Sequence, residues 1–343
     1  MKALVLEDIG NITLKEVEAP VPGRGEVLLR IHACGICSSD KARLFKNGTH
    51  SLPMIPGHEI SGEIVAGGPG IREELIGRKA AVFPLIPCRQ CDSCRMGKYA
   101  QCEHYDYFGS RRDGGFAEYL AVPVFNINLL PDDMDYRTAA LCEPATVASH
   151  ALKRAKMKHG DVVTIIGTGT VGLLAASIAR IRGASKIIIV GRSKEKIMNA
   201  SHFADHVINA EGWNVDEAVA SLTEGHMSDV VLETGGNSDA CTYALMAAGK
   251  GTTVMFIGNP EEPIVFSRDI YWKILRNELT IKGTWNSGYA PEDNDWNDVI
   301  RYMADGQIPA DKIITDTFPL EEYNKAFELL LGDRFYTKIM FDI

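Results

Sequence analysis

VVTIIGTGTVG, residues 162–172, runs from an uncharged strand-like segment directly into a glycine-rich turn. Residues 162–166 are largely apolar, which is typical of a strand buried on both faces of a parallel sheet. Gly167 permits a tight turn, Gly169 lets the backbone approach a pyrophosphate, and Gly172 brings the following helix against the strand. The stretch therefore predicts a dinucleotide-binding unit, with a strand–helix turn that binds no ligand as the simpler alternative.

The sequence after this turn repeats the strand–helix pattern. Thr170 and Val171 stand at the start of the helix, where free N–H groups and the helix dipole favour phosphate. Five further apolar runs are predicted as strands, with helices between most of them: 186–190, 206–208, 229–232, 252–257 and 279–282. Six strands with crossover helices predict an α/β fold with a doubly wound sheet.

The end of the second predicted strand bears on cofactor choice. A site that prefers NAD usually has Asp or Glu there to bind both ribose hydroxyls. This chain has Gly191, Arg192 and Ser193 instead. The glycine leaves room for a 2′-phosphate, which Arg192 can bind in a bidentate manner and Ser193 can reach as a donor. NADP is therefore favoured over NAD, although Arg192 could also be a solvated loop residue.

The regions on either side of this sheet differ from it. The first 145 or so residues contain many Gly and Pro residues and short β-branched runs, which predict a compact β-rich domain. After residue 283 come two predicted helices and a strand, a tail too short to fold alone. We therefore expect one domain from residues 1–148 and 285–343, and a second from residues 149–284.

Four cysteines, Cys88, Cys91, Cys94 and Cys102, lie within fifteen residues. Four thiolates can surround one Zn²⁺ at about 2.3 Å and leave no open position, which marks a structural site. The spacing does not match the bacterial ferredoxin pattern, because the last gap is seven residues and Glu103 follows. The run predicts a zinc-binding lobe over about residues 84–104, with buried cysteines or two disulfides as the alternative.

A second group of metal-ligand residues is more scattered. Cys37, His58, Glu59 and Glu143 are candidate ligands. A catalytic zinc keeps three protein ligands and one exchangeable position. A single His before Glu in a turn is more often structural or exposed, so the prediction depends on the residues acting together.

Composition excludes several classes of protein. The chain has 343 residues and a formal net charge of −9, so it has no basic field to attract nucleic acid or an anionic membrane. No apolar stretch reaches transmembrane length, and the N-terminus is predicted to be a strand and not a signal peptide. Cys34, Cys142 and Cys241 remain outside the metal candidates. Unpaired thiols suggest a reducing cytoplasm.

Taken in order along the chain, these motifs resemble the zinc-containing medium-chain alcohol and polyol dehydrogenases. The resemblance implies a GroES-like catalytic domain built from both chain ends, a Rossmann domain between them, and an active site in the cleft. It implies two Zn²⁺ per chain, the catalytic one bound by Cys37, His58 and either Glu59 or Glu143. Ser39 takes the place of the hydroxyl residue that begins the proton relay. Dimers or tetramers are common in the family.

The substrate is a separate question. Glu143 stands where classical alcohol dehydrogenases have a cysteine, so the polyol branch is the closer match. Arg111, Arg112 and Lys46, with Arg43 nearby in sequence, could hold the phosphate of a polyol phosphate.

Each of these assignments has an alternative. The basic residues could be solvated charges, and a non-phosphorylated polyol would then be the substrate. Trp285 and Asn286 could line the cleft, although large aromatic residues more often pack in a core. A zinc-stapled nucleotide-binding module without catalysis would need the glycine turn but no open zinc site. A quinone-reductase-like relative would lack the cysteine lobe and the His58–Glu59 pair, and this chain has both.

Overall fold

The computed structural model describes all residues from 1 to 343. It contains nineteen strands: β1 Lys2–Asp8, β2 Asn11–Glu16, β3 Glu26–Ile36, β4 Glu59–Gly67, β5 Lys79–Val82, β6 Leu85–Ile86, β7 Asp106–Tyr107, β8 Tyr119–Pro123, β9 Ile127–Leu129, β10 Val162–Ile166, β11 Lys186–Gly191, β12 His206–Asn209, β13 Ser228–Glu233, β14 Ala248–Phe256, β15 Thr280–Gly283, β16 Tyr289–Ala290, β17 Asp293–Asn294, β18 Ile314–Pro319 and β19 Lys338–Asp342.

The α-helices number twelve: α1 Ser38–Ala42, α2 Asp92–Arg95, α3 Tyr136–Ala140, α4 Cys142–Ala155, α5 Thr170–Ile181, α6 Lys194–Ala200, α7 Val215–Leu222, α8 Ser238–Ala247, α9 Arg268–Arg276, α10 Asp295–Ala304, α11 Ala310–Ile313 and α12 Tyr323–Leu331. A π-helical turn spans Arg43–Asn47, and four 3₁₀ turns complete the helical elements: Glu73–Leu75, Tyr99–Gln101, Val124–Asn126 and Leu320–Glu322. None of these helices combines the length and the apolar character needed to cross a lipid bilayer.

The chain divides into two compact units. The first consists of Met1–Glu143, Gly288–Gly306 and Ile314–Ile343, and the second of Pro144–Ser287 and Gln307–Ile313. Residues 307–313, which the sequence analysis groups with the tail, therefore belong to the second unit. There the Asn199 side-chain amide donates a hydrogen bond to the Lys312 carbonyl at 3.3 Å.

The second unit contains a six-stranded sheet in the order β12-β11-β10-β13-β14-β15. Every neighbouring pair in it is parallel, and helices α5 to α9 lie between successive strands along the chain. The strands are rich in Ile and Val because crossover helices cover parallel sheets on both faces. The predicted doubly wound α/β sheet is confirmed.

The first unit is built around the long strand β3, which pairs with β4, β8 and β19. In this register Ile36 lies opposite Ile339, and Gly35 lies opposite Glu59. The end of β3, the start of β4 and the start of β19 therefore meet at one edge of the sheet. The C-terminal strand thus returns to the first part of the chain, and its Phe341 is fully buried.

Candidate metal centres and dinucleotide site

The four-cysteine lobe has the geometry of a closed metal site. The sulfur atoms of Cys88, Cys91, Cys94 and Cys102 all lie within 4.8 Å of one another. The Cys88–Cys94 and Cys91–Cys102 sulfur pairs are each 3.9 Å apart. A tetrahedron with Zn–S bonds of 2.3 Å requires sulfurs about 3.8 Å apart. The lobe therefore fits a structural zinc ion.

Local backbone structure prepares one of these thiols for metal binding. Hydrogen bonds from the backbone N–H groups of Gln90 and Cys91 lower the pKa of Cys88 to about 6. The thiolate is the form that binds metal, so a lowered thiol pKa favours coordination at neutral pH. All eight cysteines are free of disulfides, which excludes the disulfide alternative in this structure.

Three side chains converge at the edge of the β3–β4–β19 sheet. One ligand atom each from Cys37, His58 and Glu59 lies within 4.8 Å of the other two. Cys37 directly follows β3 and caps helix α1, while His58 directly precedes β4. Thiolate, imidazole and carboxylate form a donor set that suits Zn²⁺ with an exchangeable fourth position.

Asp40 is a site residue that the sequence analysis missed. It is fully buried. One of its carboxylate oxygens accepts a hydrogen bond from the Cys37 backbone N–H at 3.0 Å, and the other lies 3.4 Å from Nδ1 of His58. A metal-binding histidine usually has its second ring nitrogen held by a carboxylate, which leaves Nε2 for the metal. Its position three residues after Cys37, where it closes a capping box on α1, was the available signal.

These contacts also control the charge of His58. Burial lowers the pKa of His58, but the Asp40 carboxylate and the Cys37 thiol outweigh burial and hold that pKa well above its usual value. A metal ion that binds here must therefore displace a proton from the ring.

Lys338 is a second site residue that the sequence did not reveal. It contacts Glu59, one of the two glutamates proposed as a metal ligand. Its ammonium donates to both carboxylate oxygens of Glu59, at 2.6 and 2.7 Å, and both side chains are buried. Glu143 lies outside the group of three converging ligand atoms. The Tyr107 hydroxyl donates to Glu143 at 3.4 Å, and burial raises the pKa of this carboxyl to about 7.

Ser39 lies beside the converging ligands. Its hydroxyl donates to the Cys37 sulfur at 3.2 Å. The first turn of α1 therefore presents a hydroxyl group within hydrogen-bond distance of a candidate metal ligand.

The glycine turn in the second unit has the predicted shape. Gly167 has a φ of +118°, and a Cβ at Gly172 would lie 2.3 Å from the Gly167 carbonyl oxygen. Gly169 is the N-cap of α5, and a Cβ there would meet no atom within 4 Å. The first and third glycines therefore serve the tight turn, while the second leaves open space at the helix N-terminus. This shape fits a dinucleotide pyrophosphate.

A cavity of about 530 Å³ opens beside this turn. Gly191, Arg192 and Ser193 line it together with Gly167 and Gly169. The Arg192 guanidinium lies 3.3 Å from the Asp239 carboxylate, and the Ser193 hydroxyl donates to Glu195 at 2.9 Å. The residues predicted to select the cofactor thus line one cavity. Asp239 lines the same cavity and adds a negative charge next to Arg192.

The predicted phosphate-binding residues have different surroundings in the structure. The Arg111 guanidinium donates to the Tyr105 carbonyl and stacks on the ring of Tyr105. Arg112 forms an ion pair with Asp106 at 3.1 Å. Lys46 is exposed on the π-helical turn.

The two residues predicted to line the cleft belong to the second unit. The Trp285 side chain is exposed, and Asn286 has a φ of +55°. The alternative that Trp285 packs in a core is therefore wrong for this structure.

Comparisons with known proteins find two family models that match different parts of the chain. Residues 23–132 match the family model described as the alcohol dehydrogenase GroES-like domain. Residues 170–305 match the model described as zinc-binding dehydrogenase.

Two curated relatives cover nearly the full chain. Galactitol 1-phosphate 5-dehydrogenase of Escherichia coli K12 is 34% identical over 329 residues, which cover 95% of each chain. Sorbitol dehydrogenase of Bacillus subtilis 168 is 31% identical over 338 residues, which cover 96% of this chain and 94% of the relative.

Solved structures give the same result. Galactitol-1-phosphate dehydrogenase from Escherichia coli superposes with a TM-score of 0.95 at 33% identity, and the match covers all of both chains. A zinc-binding dehydrogenase from Sinorhizobium meliloti 1021, bound to NADP, has a TM-score of 0.92 at 28% identity. An alcohol dehydrogenase from Escherichia coli CFT073, in complex with NADH, has a TM-score of 0.91 at 26% identity. Both of the latter matches cover 100% of this chain and 99% of the other.

These matches confirm the predicted family resemblance and the predicted combination of a GroES-like and a Rossmann-like domain. With both family models matched and relatives of more than 30% identity along nearly the whole chain, the protein belongs to the zinc-type medium-chain alcohol and polyol dehydrogenase family.

Proposed function

We propose that the protein transfers a hydride between a secondary hydroxyl of a polyol phosphate and NADP, using one catalytic and one structural zinc ion. The observation that carries the proposal is the convergence of Cys37, His58 and Glu59 within 4.8 Å, beside the Ser39 hydroxyl. Cys37 and His58, with Glu59 or Glu143, hold the catalytic zinc, and the four cysteines of the lobe hold the structural one.

Different residues of the chain have different roles in the proposed hydride transfer. When bound, zinc lowers the pKa of a coordinated hydroxyl and polarises a ketone, and the nicotinamide ring accepts or donates the hydride. The Ser39 hydroxyl takes the proton from the substrate hydroxyl and passes it outward. Asp40 fixes the ring of His58, and Lys338 holds Glu59 in a buried ion pair. In the second unit, the glycine turn and the start of α5 bind the pyrophosphate, and Arg192 with Ser193 binds the 2′-phosphate.

A phosphorylated substrate is supported by the relative of 34% identity that acts on galactitol 1-phosphate. The segments 45–50 and 109–119, FKNGTH and GSRRDGGFAEY, look particularly like that enzyme. A galactitol-1-phosphate-like substrate is therefore the first candidate. The alternative is a non-phosphorylated polyol, which the similarity to a sorbitol dehydrogenase favours.

The decisive experiment is a substrate panel with the zinc-loaded enzyme. We expect kcat/KM for galactitol 1-phosphate to exceed that for galactitol, sorbitol and xylitol, and kcat/KM for NADP to exceed that for NAD. Equal kcat/KM values for sorbitol and for the phosphorylated hexitol would contradict the proposed preference for a phosphorylated substrate. A tenfold preference for NAD would discard the cofactor assignment. One zinc per chain without turnover would instead support a zinc-stapled nucleotide-binding module.

A second copy of the chain is the proposed macromolecular partner. Strand β15 is the outer strand of the six-stranded sheet and pairs only with β14. Helix α9 precedes it and has no buried residue, and its Tyr271, Trp272 and Leu275 are exposed, as is Ile281 on β15. Exposed apolar side chains and an unpaired strand edge are both typical of association surfaces, and a two-fold axis can bury such surfaces symmetrically. This surface supports a homodimer, from which a tetramer could also be built.

A further inference from the structure

We propose that Arg43 is the residue that recognises the phosphate of the substrate, in place of the Arg111–Arg112 pair that the sequence suggests. The inference rests on the proposed polyol phosphate activity and names the residue that determines this specificity. The ligand chemistry is a phosphate monoester dianion, bound by the guanidinium next to the candidate catalytic metal site.

The position of Arg43 connects it to two candidate metal ligands. Its guanidinium lies 3.4 Å from the Asp40 carboxylate. The same carboxylate lies 3.4 Å from the ring of His58 and accepts the Cys37 backbone N–H at 3.0 Å. One carboxylate therefore separates Arg43 from each of these two ligands. A substrate hydroxyl at the metal would leave the far end of the same small molecule within reach of the guanidinium.

The charge and the free donors of Arg43 suit an anion. The side chain is 29% exposed, and Asp40 is the one hydrogen-bond acceptor that the structure gives for its five N–H donors. Burial lowers the pKa of Arg43, but the Asp40 carboxylate, with smaller contributions from Tyr107 and Cys37, raises it above its usual value. The group is thus a permanent cation, in a chain of net charge −9, with donors still available to a ligand.

The other basic candidates are less well placed. Arg112 is paired with Asp106 and lines a separate cavity of about 430 Å³, in which none of the candidate metal ligands takes part. Arg111 is held by the ring and the carbonyl of Tyr105. Both donate backbone N–H groups to the Tyr107 carbonyl, but their guanidinium groups contact Tyr105 and Asp106 and not Asp40, the carboxylate beside Cys37 and His58.

Arginine has a specific advantage for this ligand. The guanidinium presents parallel N–H groups that match two oxygens of a phosphate, whereas a lysine ammonium offers one point charge. The single contact to Asp40 leaves such a pair of N–H groups available. Loss of a charge-assisted hydrogen bond pair to phosphate corresponds to about a 10- to 100-fold loss of binding.

The test compares Arg43→Gln and Arg43→Lys with Arg24→Gln as a matched control. Arg24 is exposed in the same unit, and the structure shows no ion pair for it. The zinc-loaded enzymes are assayed on galactitol 1-phosphate and on galactitol, and the ratio of the two kcat/KM values is the readout. We expect this ratio to fall about 10- to 100-fold in Arg43→Gln, less in Arg43→Lys, and not at all in Arg24→Gln.

A second readout does not depend on turnover. Calorimetric titration of the zinc-loaded, cofactor-free enzyme with inorganic phosphate should give a weaker Kd for Arg43→Gln than for Arg24→Gln. Arg43→Lys keeps a positive charge beside Asp40. A weaker Kd for phosphate in this variant therefore reports loss of the paired guanidinium N–H groups and not loss of the folded structure.

The outcomes are distinguishable. A wild-type enzyme that does not distinguish the two polyols overturns the proposed substrate and this assignment together. A wild-type enzyme that prefers the phosphate, and keeps that preference in Arg43→Gln, overturns the assignment of Arg43 alone. Equal losses on both polyols, with an unchanged Kd for phosphate, would show that Arg43 acts only by positioning Asp40 and would also overturn it.

Discussion

Lys338 and Glu59 lie 279 positions apart in the sequence and form a buried ion pair beside the candidate catalytic metal site. The Lys338 ammonium donates to both oxygens of Glu59 and, at 3.0 Å, to the carbonyl of Ile36. Gly35 makes room for the pair, because a Cβ there would lie 1.9 Å from the Glu59 carboxylate. The last strand of the chain thus helps to fix a carboxylate that the fourth strand supplies.

Replacement of Lys338 by Met should therefore be costly. The Glu59 carboxylate would stay buried without its partner, and breaking one side of a buried ion pair costs about 3–5 kcal/mol. We expect the free energy of unfolding, measured by urea titration, to fall by that amount. The double variant Lys338→Met with Glu59→Gln removes the unpaired charge and should recover part of the loss. A single variant as stable as the double variant would contradict this account.

The sequence predicts those parts of the site that depend on residue type and short spacing. The cysteine spacing predicts a closed metal site, and the glycine turn predicts its own backbone shape, because both are local properties. Lys338 was not predicted, since its partner is remote and a single Lys at the start of a strand looks like a surface residue. The phosphate-binding role of the adjacent Arg111 and Arg112 stays a prediction, because neighbours in sequence need not share a ligand. Their guanidinium groups contact Tyr105 and Asp106 instead.

The two proposed zinc sites should respond differently to loss of one sulfur. Cys91→Ser removes a ligand of the closed site, so we expect one zinc per chain in place of two and a lower midpoint of thermal unfolding, because structural zinc contributes directly to folding. Cys37→Ser should abolish turnover with little loss of stability. Zinc analysis and thermal unfolding of both variants check this. Full activity of Cys37→Ser would remove that thiol from the mechanism.

Cofactor preference should depend on Arg192 and Asp239 in opposite directions. Arg192→Gln removes the proposed 2′-phosphate ligand, so kcat/KM for NADP should fall about 10- to 100-fold while that for NAD changes little. Asp239→Asn removes the carboxylate 3.3 Å from Arg192 and should lower KM for NADP. Steady-state kinetics with both cofactors give the answer. An equal loss with NAD and NADP in Arg192→Gln would argue against a 2′-phosphate contact.

Glu233 gives a prediction about pH. Its carboxylate accepts the N–H groups of Gly235 and Gly236, both at 2.6 Å, and Gly235 lines the dinucleotide cavity. Burial raises the pKa of Glu233 above its usual value of 4.5, and these N–H groups only partly offset that effect. Because the folded state binds the proton more tightly than the unfolded state, this stabilisation is complete below pH 4.5. It is lost as the pH rises through the folded pKa.

Glu233→Gln keeps an oxygen for the two N–H groups but removes the titration. The free energy of unfolding of the wild type relative to this variant should therefore decrease as the pH rises above 4.5 and through the folded pKa. Urea unfolding at several pH values measures the difference, and Glu217→Gln, on the surface of α7, is the control. Curves that run parallel across this range would show that Glu233 does not titrate as described.

The proposed dimer should depend on the edge strand β15. Ile281 is 39% exposed on this strand, and Ile281→Lys would place a charge in the centre of the proposed interface, where desolvation of an unpaired ammonium opposes association. Light scattering after gel filtration should then give the mass of the single 37.6 kDa chain for the variant and twice that mass for the wild type. Met198→Lys on α6, at an apolar side chain that is 72% exposed, should leave the dimer intact. If both variants stay dimeric, the second copy binds at a different surface, because a buried lysine at the strand edge could not be tolerated there.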